Sequence, residues 1–155
     1  MPIENEENIG LTGEEISKET RKRLEKYNGL NFFEEFSMFM GTAQILEFGL
    51  KKLLEEKFEY SLDDMERWTL GRVKNELKKN ELREDFIILL ESVVEYRNYI
   101  AHELLVNVGL MKALFKEILP DNHYSKDHRL LHKAINELEQ LVFLFDWTQE
   151  NNACN

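Results

Sequence analysis

The sequence predicts an all-α chain, an antiparallel bundle of four to five main helices with short connecting helices. Three observations predict it. Only seven Gly and two Pro interrupt 155 residues, too few for the many turns of a β-rich chain. Apolar residues recur at steps of three and four along most of the chain, the spacing of one helix face. No stretch alternates apolar and polar residues as a half-buried strand would. Hydrophobic residues make up 43% of the chain, enough to build a core in a domain of this length.

Residues 1–12 read as a mobile acidic tail, 13–150 as one helical domain and 151–155 as a frayed end. The first helix lies in TGEEISKETRKRLEKYNG, with Thr12 as cap, Glu15 at capping-box spacing and Gly29 as its close. Asn31 caps the second helix. There Phe32, Phe36, Phe39, Ala43, Leu46, Leu50 and Leu53 form one apolar line. Phe33, Met40, Leu54 and Phe58 widen that face beyond what one neighbour covers, so the helix is either central or shared with another chain. Gly41 and Gly49 would let a neighbour come close.

After the connector EYSLDDMERWT, Thr69 caps a short helix, LGRVKNELKKN. A fourth helix runs from Leu82 or Arg83 to about Val108, where Gly109 stops it. LMKALFKEIL is a shorter helix ended by Pro120, and PDNHYS a loop. Ser125 caps the last helix, whose core line is Leu131, Ile135, Leu138, Val142 and Phe145.

The formal charge is −10, and residues 1–20 carry half of it with six Glu against one Lys. That total excludes coating nucleic acid through a broad basic surface; no DNA partner is expected. It leaves room for a small basic groove, because charges are screened beyond about 8–10 Å at physiological salt. The one Cys, Cys154, forms no disulfide within the chain and points to a reducing compartment. The N-terminal stretch has no apolar signal-peptide core, and no apolar run is long enough to span a membrane. A cytoplasmic protein with no membrane partner is expected.

One stretch does not fit its surroundings. In EYRNYIAHELL, on the fourth helix, Phe86, Leu90, Val93, Arg97, Ile100, Leu104 and Val108 form a core line with Arg97 in its middle. A guanidinium cannot shed its charge to escape burial, so it must be paired or face a cleft or an interface. Asn98 and His102 are four apart and share a face. Arg97 and His102 are five apart, roughly 140° round an α-helix. Such a trio suits phosphodiester cleavage. His transfers protons near neutral pH, Arg matches phosphate oxygens, and Asn holds the phosphate, a ribose hydroxyl or the His.

RNYIAH resembles the R-N-x-x-x-H signature of the HEPN superfamily, and the all-α setting, with the motif late in a long helix, agrees. The resemblance implies a bundle of four or five helices that dimerises so that two motifs face one cleft. It implies a metal-independent endoribonuclease, a toxin or antiphage-defence effector, needing no cofactor. His102 would move the proton of a ribose 2′-hydroxyl, Arg97 would stabilise the phosphorane and Asn98 would orient them. The products would carry 2′,3′-cyclic phosphate. An antitoxin or regulatory protein would be a partner. One toxin subgroup carries a Tyr two residues after the His, which accepts a modifying nucleotide; here that position is Leu104, with Tyr96 and Tyr99 out of register.

Other readings of the same residues stay open. Glu47 interrupts a second-helix line of Phe36, Met40, Ala43, Leu50 and Leu54, and a Glu47–Arg97 pair would explain both interruptions. Such a carboxylate could also position a catalytic Arg97. The chain would otherwise be a non-catalytic HEPN-like module binding a nucleotide, RNA or a protein, or a helical interaction protein in which Arg97 is structural. Arg72, Lys78, Lys79 and Arg83 form the favoured secondary RNA patch, because they lead into the motif helix. His128 and His132, with His123, read as surface or cap residues and not as a metal site, since no further ligand stands at a fitting spacing.

Overall fold

The computed structural model describes residues 10–104, 106 and 125–151. Among them are five α-helices and no strand: α1 (Gly13–Leu24), α2 (Phe32–Phe58), α3 (Leu70–Lys79), α4 (Glu84–Tyr99) and α5 (Ser125–Glu150). A 3-10 turn, Glu25–Tyr27, follows α1, and a π-helical turn, Ile100–Leu104, follows α4. The architecture is an all-α bundle, as the residue spacing predicts. Residues 1–9 of the tail, the Gly109 stop, the helix LMKALFKEIL, the loop PDNHYS, the side chain of Ser125 and Cys154 lie outside the described residues.

Local chemistry sets the helix starts. The Thr12 side chain accepts from the Glu15 N–H while the Glu15 carboxylate accepts from the Thr12 N–H. Asn31 and Glu34 make the same reciprocal pair at the start of α2. Each pair satisfies N–H groups that a helix start leaves without partners. Thr69 caps α3 by accepting from Arg72 N–H. α1 stops at Leu24, short of the predicted end, because the chain tightens into the 3-10 turn that carries Tyr27 into the core. Gly29 then turns the chain at φ 78°, a left-handed conformation that costs glycine little.

α5 is the hub, packing on α1, α2 and α4, while α3 packs on α4 and α2. α4 runs antiparallel to α3, with Gly71 against Val94 and Lys78 reaching back to Glu91. It also runs antiparallel to α5: Phe86 meets Phe145, and Ser92 bonds Glu137. α2 and α5 run the same way, since Phe32 stacks on His128 at one end and Gly49 faces Phe145 at the other. Phe39, Leu50, Leu54, Leu90, Leu131, Leu138 and Leu141 are fully buried between them.

The α2 line predicted from Phe32 to Leu53 faces this core, and Leu54 joins it. The opposite side of α2 leaves Ile45 and Phe48 exposed. The two α2 glycines differ. A Cβ on Gly49 would lie 3.1 Å from the Phe145 ring, whereas one on Gly41 would meet nothing within 4 Å. Gly49→Val is therefore expected to destabilise the fold by about 1 kcal/mol or more, through overpacking against Phe145. Urea unfolding measures this, and an unchanged midpoint would show that the ring moves aside freely.

A buried carboxylate joins α5 to the 3-10 turn. Glu139 is fully buried. Its Oε1 accepts from the Tyr27 hydroxyl at 2.7 Å and lies 2.7 Å from Lys26 Nζ. Burial, and then the hydrogen bond to Glu139, hold the Tyr27 hydroxyl protonated well above the usual tyrosine range. A charge can sit inside the bundle only because a donor and a cation meet it there.

Candidate functional site

α4 begins at a four-residue link from α3, where Arg83 grips Asp85 with a two-pronged bond. Phe86, Leu90 and Val93 are buried along the predicted line, and Ile100 and Leu104 continue it. Arg97 sits in that line and is half-buried, while Asn98 and His102 are exposed. Arg97 Nη1 lies 3.5 Å from Asn98 Oδ1, the outer limit of a hydrogen bond, with the guanidinium toward the surface.

The helix is not regular through the motif. The Ile100 N–H is shared between the carbonyls of Tyr96 and Arg97, and Ile100–Leu104 then winds as a π-turn. π-turns inside helices cluster at functional sites. A π-turn, closed by i→i+5 bonds, turns less per residue than an α-helix, which shifts His102 toward the Arg97 side. His102 has no hydrogen-bond partner among the described residues. The structure thus joins Arg97 to Asn98 directly and keeps Asn98 and His102 on one exposed face.

The Glu47–Arg97 pair is not formed. Glu47 lies 3.6 Å from Lys51, one turn along its own helix. Lys51 is itself buried and needs a carboxylate more than the half-exposed Arg97 does. Glu47 therefore makes its ion pair along its own helix and none with Arg97.

The predicted patch on α3 is largely neutralised from within. Lys78 pairs with Glu91 at 3.1 Å, Lys79 with Glu76 at 3.1 Å and Arg83 with Asp85 at 2.9 Å. Lys79 and the Tyr60 hydroxyl hold the Glu76 carboxyl below the usual glutamate range. Arg72 stacks over the Trp68 ring at 4.3 Å. The four do not form one open patch: Lys78 turns to Glu91 on α4, Lys79 to Glu76 on its own helix, and Arg83 to Asp85 beyond α3.

His128 and His132 do not converge on a common point. His128 stacks on Phe32, with ring centres 4.7 Å apart, and His132 Nε2 lies 2.8 Å from Glu35 Oε2.

A feature that residue spacing alone does not single out lies along α4, in the turns before His102. A groove of about 550 Å³ runs between α4 and the first half of α5. Ser92, Glu95, Tyr96 and Tyr99 form one wall, and Lys126, Arg129 and Lys133 stand on the other. The signal in the sequence is the 3-then-4 spacing of those cations, but their meaning depends on what packs opposite. No family model, no curated protein and no solved structure matches this chain.

Proposed function

We propose that the chain is a HEPN-like, metal-independent endoribonuclease that works as a homodimer in the cytoplasm, as a toxin or defence effector. One observation carries the reading. Arg97 and Asn98 touch, His102 shares the Asn98 face, and none of the three is tied to a carboxylate among the described residues. A structural arginine in a core line would be neutralised by such a partner.

His102 takes the proton of a ribose 2′-hydroxyl, and the freed oxygen attacks the adjacent phosphorus. Arg97 neutralises the charge that builds on the phosphoryl oxygens. Asn98 holds the guanidinium by its contact and fixes the phosphate. The 5′-oxygen leaves with a proton from a second acid, the partner subunit's His102. The products are a 2′,3′-cyclic phosphate and a 5′-hydroxyl, and no metal or cofactor enters. An antitoxin would act by covering this edge.

The acidic total, −10, favours a second reading, a non-catalytic module that binds RNA or a nucleotide at the same edge. A labelled single-stranded RNA incubated in EDTA separates the two. Cleavage leaving cyclic phosphate ends, lost in His102→Ala, supports the nuclease. Binding without cleavage by a folded dimer supports the module.

A further inference from the structure

We propose that the groove between α4 and α5 is a nucleotide-binding site, in which a base lies against Tyr99 and Tyr96 and its phosphate meets Lys126, Arg129 and Lys133. Its use as the entry path for RNA rests on the nuclease reading; the binding itself does not.

Charge carries the first part. The chain has 30 Asp and Glu against 20 Lys and Arg, and what marks the cations here is not the lack of an ion pair, which Lys22 and Lys57 also show among the described residues, but that three of them line one groove. On α3 the lysines are taken by Glu91 and Glu76. Lys126, Arg129 and Lys133 stand three and four apart, on one face of α5, and none has an ion-pair partner among the described residues. They stay unpaired although Glu95 and Asp127 line the same groove. Three like charges on one helix face, not ion-paired with the two carboxylates nearby, offer a seat for a phosphate.

The opposite wall supplies the second part. Tyr99 is 36% exposed, while Tyr96 is partly buried and anchored on the core. A partly fixed aromatic wall facing cations is the pairing that single-stranded nucleic acids use, because every base has a stacking face and every link a phosphate. The volume suits a ligand of nucleotide size. Glu95 and Asp127 accept hydrogen bonds from base amino groups, so a base with N–H donors on its edge is preferred. Tyr99 and His102 are three apart, neighbours on the helix surface, so the groove opens beside the motif.

The test uses the full chain carrying His102→Ala, to prevent turnover, and a fluorescein-labelled ten-nucleotide single-stranded RNA at 0.1 M salt. Anisotropy is measured with Lys126→Glu/Arg129→Glu, with Tyr99→Ala, and with Lys78→Glu/Lys79→Glu as the paired-cation control. The four cations are exposed and Tyr99 is 36% exposed, and circular dichroism confirms the fold of each variant. Binding is expected to weaken at least tenfold in the α5 pair and several-fold in Tyr99→Ala, but less than twofold in the control. Competition by guanosine monophosphate at concentrations that displace the RNA would mark a free nucleotide as the natural occupant; displacement only by oligonucleotide would mark the RNA chain. Equal affinity in the α5 pair and the parent, or no binding of either probe, would overturn the site. RNA binding through the groove without cleavage by the native chain keeps this site and removes the nuclease. Cleavage with a groove that contributes nothing to affinity does the reverse.

Discussion

RNA cleavage in EDTA is expected to fall at least a hundredfold in His102→Ala and in Arg97→Ala. A positioned acid or base contributes about 10²–10⁴ in rate. A donor aimed at developing negative charge contributes about 10²–10³. The two act on one transition state, so the double variant should be little slower than the slower single one. Arg97→Lys should restore little, because a lysine lacks the planar fork that spans two phosphoryl oxygens. The variants differ in what they do to the fold. His102 is exposed, so its alanine form should keep its stability within about 0.5 kcal/mol. Arg97 is half-buried in an apolar line, so its stem also packs, and its unfolding midpoint should be measured beside the rate. Full cleavage by both variants would remove the motif from the mechanism.

Tyr27→Phe is expected to destabilise the domain by about 1.5–3 kcal/mol at neutral pH. It removes a 2.7 Å hydrogen bond to a carboxylate that has no access to water. Glu139→Leu added to Tyr27→Phe should cost less than the two separate losses, because the buried acceptor disappears with its donor. The same contact predicts a pH dependence. Folding raises the Tyr27 hydroxyl above its ordinary 10.0. Below that pH both states hold the proton and the contribution is complete. Above it the unfolded chain releases the proton while the folded chain keeps it, so stability falls as pH rises. The slope approaches about 1.4 kcal/mol per pH unit. Urea midpoints of wild type and Tyr27→Phe should therefore converge above pH 10. Parallel curves would show that neither burial nor the bond to Glu139 shifts the Tyr27 hydroxyl.

Elements were legible in the sequence where one residue decides them. Thr12, Asn31 and Thr69 announce helix starts because the capping bond is local, and all three form. The apolar lines of α2 and α5 were legible because periodicity directly encodes which face is buried. The π-turn was not, since a single loosened turn leaves the 3-and-4 pattern of Ile100 and Leu104 intact. Nor was the fate of the charges. Glu47 could be matched with Arg97 on helical wheels, but only packing shows that Lys51 takes it. Arg72, Lys78, Lys79 and Arg83 look like a patch in one dimension; Glu76 and Asp85 stand within three residues of Lys79 and Arg83, but only packing brings Glu91 of α4 to Lys78. Lys126, Arg129 and Lys133 gain meaning only from Tyr96 and Tyr99 across the groove.

The uneven pairing of cations has a kinetic consequence. From a distance, an RNA meets the whole net charge of −10; near the groove, it meets three lysine and arginine heads. In dilute buffer, at 10 mM salt, the screening length is about 30 Å, so approach is opposed by the entire molecule. At 0.15 M it shrinks to about 8 Å, which cuts off that repulsion but leaves contact-range attraction at work. Encounter with RNA should thus speed up as salt rises over this range, opposite to the behaviour of proteins that draw their nucleic acid in from afar. Further salt weakens the contacts themselves.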